Sequence, residues 1–198
     1  MSKASDTFSE SISDAENLLK HFNSLNTMPP PPELEVLKRA GLVMAMTAWE
    51  TYVEDRLAES CAERLGNLTD RFIAELVESK LADEIKRLNT PNSQKTIELF
   101  RDYAGVDLGK CWSWNGYDSM IVRERLNQYL KLRGEVVHRS RPASVSPSTH
   151  PVKKGDLEKA IRFLKNLVDA TERAFHTDQN YLNPPRPRQP AGPAAVIP

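Results

Sequence analysis

Apolar side chains recur at three- and four-residue intervals along most of the chain, the spacing of helices with one buried face. Phe8, Ile12, Ala15, Leu18, Leu19, Phe22 and Leu25 form the first such stripe and predict a helix over 6–25, stopped by the prolines at 29–32. A second, longer helix is expected over 33–65. It carries Leu34, Leu37, Leu42 and Met46 on one side and is apolar nearly all round between Ala40 and Trp49, as the central helix of a bundle would be. Thr69 is the expected N-cap of a third helix reaching Leu88, with Phe72, Ile73, Leu76, Val77, Leu81, Ile85 and Leu88 as its stripe. A short helix over 94–104 should close at Gly105. The stretch 106–117 reads as a loop that packs Trp112, Trp114 and Tyr117 among Gly109, Asn115 and Gly116. Asp118 caps a helix to His138 whose apolar set is Ile121, Val122, Leu126, Tyr129, Leu130 and Val137. After a polar, proline-containing loop over 139–155, Asp156 is the expected cap of a last helix to His176, with Leu157, Ile161, Leu164, Val168 and Phe175 facing inward.

The fold class that follows is all-α, an up-and-down bundle of about five to six helices, since no run of β-branched residues alternates and only eight glycines are present. One domain is expected over 1–182, with its core over 33–176. The proline-rich remainder, 183–198, has little to bury and reads as a disordered tail. At 198 residues, 39% hydrophobic and 27% charged, the composition is that of a soluble globular domain. No apolar stretch approaches a membrane span, the longest being the ten residues from Ala40 to Trp49, so no membrane partner is expected. The first residues lead into an acidic amphipathic stretch without an apolar signal core, an expectation of a cytoplasmic protein. Cys61 and Cys111 stand 50 positions apart with no ligands at metal-binding spacing, so they read as reduced thiols rather than a disulfide or zinc site. Neither a metal nor a cofactor is expected.

Net neutrality hides an asymmetry. Between Ser5 and Arg87 there are 16 acidic and 9 basic residues, whereas Ser119 to Lys165 holds 11 basic against 4 acidic. A basic segment of this kind either attracts a phosphate backbone or pairs with the acidic half of the same chain. Within it Arg133 and His138 stand five positions apart at the end of an apolar-striped helix. Imidazole titrates near neutral pH and can take a proton from a ribose 2′-hydroxyl or give one to the leaving 5′-oxygen, while guanidinium can brace the phosphate as charge builds on it. The spacing alone is uninformative, because about 0.9 such pairs are expected by chance in a chain of this composition. It also poses a geometric problem: five residues on a straight helix leave two side chains about 140° apart. Either Gly134 loosens the helix end or a second subunit completes the site, and a twofold axis beside this helix would bring two of each residue into one cleft.

At these residues the chain resembles the HEPN superfamily of small all-α proteins, and in particular the RiboL-PSP-type HEPN domains. The resemblance spans Ala40 to Phe175: an apolar helix ending in Ala48-Trp49-Glu50, an aromatic loop at Cys111-Trp112-Ser113-Trp114, a helix closing with Arg133 and His138, a proline-bearing loop and a final Leu/Ile/Val-rich helix. It implies a HEPN-like bundle and a metal-independent endoribonuclease acting on single-stranded RNA, in a toxin–antitoxin or anti-phage setting, as a homodimer with a composite site. Carried over, Arg133 and His138 match the motif arginine and histidine. Glu50 resembles an acidic position on the earlier helix facing the site. Lys131, Arg139 and Arg141 are the neighbouring cations expected to hold RNA, and an antitoxin or other protein is a further expected partner. One residue departs from the pattern: Gly134 follows the arginine where the family favours Asn, Asp or His. The alternative reading, on which that departure bears, is a non-catalytic HEPN module that dimerises and binds a partner protein or nucleic acid. Trp112, Trp114 and Tyr117 are open to two roles, stacking RNA bases or capping the core.

Overall fold

The computed structural model describes residues 1–27, 31–66, 68–88, 90–138 and 152–177, with backbone only at Pro32 and His138. Seven α-helices are found among the described residues: α1 (Lys3–Leu25), α2 (Glu35–Leu65), α3 (Arg71–Lys86), α4 (Ser93–Leu99), α5 (Leu108–Cys111), α6 (Ser119–His138) and α7 (Lys154–Thr177). The expected all-α bundle is what forms. The proline-rich tail over 183–198 and most of the 139–155 loop lie outside the described residues.

Helix α2 is the axis of the bundle, 31 residues or about 46 Å long, and α1, α3, α6 and α7 all pack on it. Its buried residues from Gly41 to Val53 cover a face about 160° wide, and Met44, on the far side of this apolar stretch, is exposed. A 3₁₀ turn over Pro32–Leu34 precedes it, a start the prolines impose by fixing φ and removing donors. Helix α1 lies antiparallel to α2: Glu59 accepts the Lys3 and Ala4 N–H groups at one end, and Gly41 sits beside Ala15 further along. Helix α1 begins three residues before the expected start and is capped by Ser2, whose hydroxyl accepts from the Ser5 N–H at 3.1 Å. Phe8, Ile12, Ala15 and Phe22 are buried, but Leu25 ends the helix 56% exposed.

Helix α3 departs furthest from its expectation. Asp70, not Thr69, is the cap, accepting from the Ile73 N–H at 3.2 Å. Of the seven-residue stripe only Leu81 is buried; Val77, Ile85 and Leu88 are partly covered, while Phe72, Ile73 and Leu76 are 74%, 47% and 47% exposed. The reason is angular: Phe72 lies about 180° and Leu76 about 140° around the axis from Leu81, so the stripe is wider than one face can bury.

The expected helix over 94–104 is α4 continued by a π-turn over Phe100–Ala104. Gly105 ends it at φ 72, with the Val106 N–H reaching the Phe100 carbonyl and an Arg64 guanidinium nitrogen donating to the Ala104 carbonyl at 3.0 Å. The stretch expected to be loop contains a helical turn, α5, capped by Asp107. Asp118 caps α6 as expected, accepting from the Ile121 N–H at 2.8 Å. Along α6 the buried residue near the end is Val136 rather than Val137, which is 46% exposed. Helix α7 starts before Asp156; that carboxylate reaches back to the Lys153 N–H instead of capping from outside.

Two polar contacts pin the last helix to the rest. Glu172 accepts from the Tyr52 hydroxyl at 2.7 Å, the Arg56 Nε at 3.1 Å and the Ser2 hydroxyl at 2.9 Å, while Arg56 lies over the Phe175 ring. Trp112, fully buried, donates its indole N–H to the Thr171 hydroxyl at 2.9 Å. Of its two expected roles Trp112 therefore takes the structural one. Cys61 is buried and Cys111 half-buried, and no disulfide joins them.

Candidate active site

Arg133 occupies a core position of α6. It continues the stripe Val122, Leu126, Tyr129 and precedes Val136, at spacings of four, three, four and three, so its guanidinium points at α2 rather than into solvent. Glu50 holds the matching place on α2, in the row Met46, Glu50, Val53, Leu57. The two meet where α2 and α6 cross: Arg133 Nη2 donates to Glu50 Oε2 at 3.4 Å, with 22% and 14% of the two side chains exposed. Apolar burial on both helices fixes this meeting.

The pair is incompletely satisfied. Glu50 Oε1 and Arg133 Nε are buried without a hydrogen-bond partner, and the one bond between them is long. Burial pushes the Glu50 carboxyl above its ordinary value, Arg133 pulls it back, and Glu54 adds a further push upward. Glu54, one turn along α2, is itself raised by burial and by Asp55. Sequence reading passed over Glu54; its i,i+4 spacing from Glu50 was the available signal. Two partnerless polar atoms facing each other across two packed helices, beside a carboxyl shifted by burial, make this pair the candidate site.

Lys131, the one other expected site residue whose side chain is described, is not drawn to this pair. Helix α6 runs unbroken through Gly134 to His138, so position 138 stays about 140° around the axis from Arg133 and about 7.5 Å along it. Of the two openings left by the sequence, a loosened helix end at Gly134 is not what forms. Lys131 is exposed and lies about 160° from Arg133, on the same side as position 138. The side chain of His138, and Arg139 and Arg141 altogether, lie outside the described residues. Gly134 has open space around it: a Cβ there would meet nothing within 4 Å. Among the described residues no group of three or more His, Cys, Asp or Glu comes together as metal ligands, and no helix is long and apolar enough to cross a membrane.

A model of the RiboL-PSP-HEPN family matches residues 9–177. The chain belongs to the RiboL-PSP-HEPN family. No curated protein and no solved structure matches it. The match to RiboL-PSP-HEPN reaches further toward the N-terminus than the residues 40–175 that carried the resemblance, and it takes in most of α1, whose Ile12 and Ala15 belong to the same core as Trp49 and Leu164. Arg133, the expected motif arginine, is a half-buried, carboxylate-paired residue, and position 138, that of the expected motif histidine, is the last of the same helix.

Proposed function

We propose that this protein is a metal-independent endoribonuclease that cuts single-stranded RNA in the cytoplasm, in a toxin–antitoxin or anti-phage role. The observation that carries the reading is Arg133 in a core position, facing Glu50 across α2 and α6, in a chain of the RiboL-PSP-HEPN family. In the step proposed, His138 takes the proton of a ribose 2′-hydroxyl. The 2′-oxygen bonds to the adjacent phosphorus, the bond from phosphorus to the 5′-oxygen breaks, and that oxygen receives a proton from the second histidine of a dimer. Arg133 turns from its long bond with Glu50 to the phosphate oxygens, where charge builds. Glu50 acts as the positioning residue, holding the guanidinium near the phosphate until substrate arrives. The separation of positions 133 and 138 around α6 supports a composite site, with arginine and histidine contributed by two copies of the chain, and the exposed Val137 beside them supports an apolar contact there. The catalytic unit is a single domain over 1–182, with 183–198 as an appended tail; Lys131, Arg139 and Arg141 hold the RNA backbone, and an antitoxin silences the enzyme.

Gly134 favours a second reading, a non-catalytic HEPN module that dimerises and binds a partner or nucleic acid, because the polar side chain that would orient the histidine or phosphate is missing. Incubation of the full chain with mixed RNA and with DNA of matched sequence in excess EDTA decides between the two. Wild type is run beside folded His138→Ala and Arg133→Ala variants. Cutting of RNA alone, leaving cyclic phosphate ends and lost in both variants, is the expected result. Intact RNA over a range of substrates and protein concentrations overturns the ribonuclease reading in favour of the binding module.

A further inference from the structure

A second cluster stands about 12 Å along α6 from Arg133, two turns toward its N-terminus. Asn115 and Gly116 form a tight turn, Gly116 at φ 81, closed by paired backbone bonds between Trp114 and Tyr117. The turn stacks the Trp114 and Tyr117 rings at 5.2 Å, and both lean on Phe163 of α7, at 5.6 and 6.0 Å. Tyr129 of α6 packs against the same Phe163 at 5.4 Å. Phe163 and the Tyr129 ring are buried, whereas Trp114 and Tyr117 remain half-exposed at the surface. The aromatic turn thus caps the core with one side and offers the other to solvent.

Two arginines border this surface. Arg125 of α6 and Arg162 of α7 are both exposed, and neither makes an ion pair among the described residues, although most other charged residues of α7's first half do. Arg125 stands one turn before Tyr129 on the same helix and Arg162 stands next to Phe163, at the edge of a groove that it lines with Glu16, Leu19 and Glu158. Burial pushes the Tyr129 phenol up, Arg125 pulls it down, Tyr117 and Asp156 push it up, and Arg162 pulls it down. The nearby Asp156 carboxylate is engaged with the Lys153 N–H, which leaves the guanidiniums available.

We infer that Tyr117 and Trp114 form a stacking platform for a base of single-stranded RNA, with Arg125 and Arg162 taking the flanking phosphates, as an anchor separate from the Arg133–Glu50 pair. Aromatic rings stack any base, and guanidiniums track the backbone without reading sequence, so the anchor is sequence-tolerant. A duplex does not fit this chemistry, since its bases are already stacked within the helix. The inference rests on RNA being the ligand, as the ribonuclease reading has it, but not on cleavage.

The test is fluorescence-anisotropy titration of the full chain, carrying His138→Ala so that the probe stays intact, with a labelled single-stranded 12-mer RNA at several salt concentrations. Tyr117→Ala is expected to weaken binding about tenfold and Tyr117→Phe to leave it unchanged. Arg125→Ala with Arg162→Ala should flatten the slope of log affinity against log salt by about 1.4. Arg71→Ala, an exposed arginine on α3, serves as the charge control and should leave the slope unchanged. Unchanged affinity and slope in the double arginine variant overturn the anchor, as does a parent that binds no RNA. If wild type cuts RNA while the double variant binds normally, the anchor falls and the ribonuclease reading stands. If wild type cuts nothing while the double variant loses binding, the anchor stands and the ribonuclease reading falls.

Discussion

Replacing both members of the Glu50–Arg133 pair with apolar residues, Glu50→Leu with Arg133→Met, should make the protein more stable. Two buried atoms without partners, Glu50 Oε1 and Arg133 Nε, each cost about 1–3 kcal/mol, and the single 3.4 Å bond returns about 1 kcal/mol. Removing all of these leaves a gain of about 2 kcal/mol, or about 6 °C in Tm for a chain of this size. Arg133→Met alone should instead destabilise, because it strands a carboxylate that burial already disfavours. The sign with pH follows from the raised Glu50 value. The carboxyl's contribution is fully present below the ordinary carboxylate range and is lost as pH rises through the folded value. Taking away Arg133, which pulls that value down, moves the loss to higher pH, and Glu50→Leu abolishes it. Thermal melts followed by circular dichroism between pH 4 and 8, on wild type, both singles and the double, measure all of this. A double variant less stable than wild type would mean the pair is a structural clamp, and two singles whose effects simply add would mean the two groups do not interact; either result would remove the main argument for a site here.

Three further outcomes follow from local geometry. Gly134→Ala should raise stability by about 1 kcal/mol, since the position is helical and a Cβ meets nothing, and Gly134→Asn should fold normally and increase RNA cutting severalfold; a melt and the cleavage gel check each. Gly105→Ala should cost about 2–3 kcal/mol in urea denaturation, from a side chain at φ 72 and displacement of the Arg64 guanidinium that a Cβ would meet at 2.7 Å. Glu172→Ala should cost about 3 kcal/mol by leaving the buried Arg56 only its longer contacts to Glu59 and Glu63, and Glu172→Leu with Arg56→Met should recover most of it.

Six of the seven helices, with their order and rough extent, were legible because apolar spacing is a direct record of burial and caps such as Asp118 carry their own chemistry; the single turn of α5 is too short to show a period. Boundaries slipped where two candidate caps stood side by side, as with Thr69 and Asp70, or where prolines allowed a 3₁₀ start. The outward turn of Phe72 and Leu76 was not legible, since a stripe says that residues want a partner and not whether the chain supplies one. At the site, Arg133 was found through its motif, although its position in the stripe with Val122, Leu126 and Tyr129 already distinguished it from a solvated arginine. The Glu50–Arg133 meeting is a contact 83 positions apart in sequence, set by how α2 and α6 cross, and no local pattern records it. The grouping of Arg125, Tyr117 and Arg162 was hidden for the same reason.

The polar pins between α2 and α7 set the order in which a newly made chain can mature. Helices α1 and α2 are neighbours in sequence and can close as a hairpin while translation continues, but Arg56 and Tyr52 wait for Glu172, and Trp112 waits for Thr171. At ordinary elongation rates the interval between completing α2 and completing α7 is roughly ten seconds. Through that interval Arg56 has only the longer contacts to Glu59 and Glu63 of its own helix, and the closer bond to Glu172 and the Phe175 ring that covers it arrive with the last helix. A chain truncated before Thr171 would be left without these pins, so the tie between the central and last helices is a property of the completed chain alone.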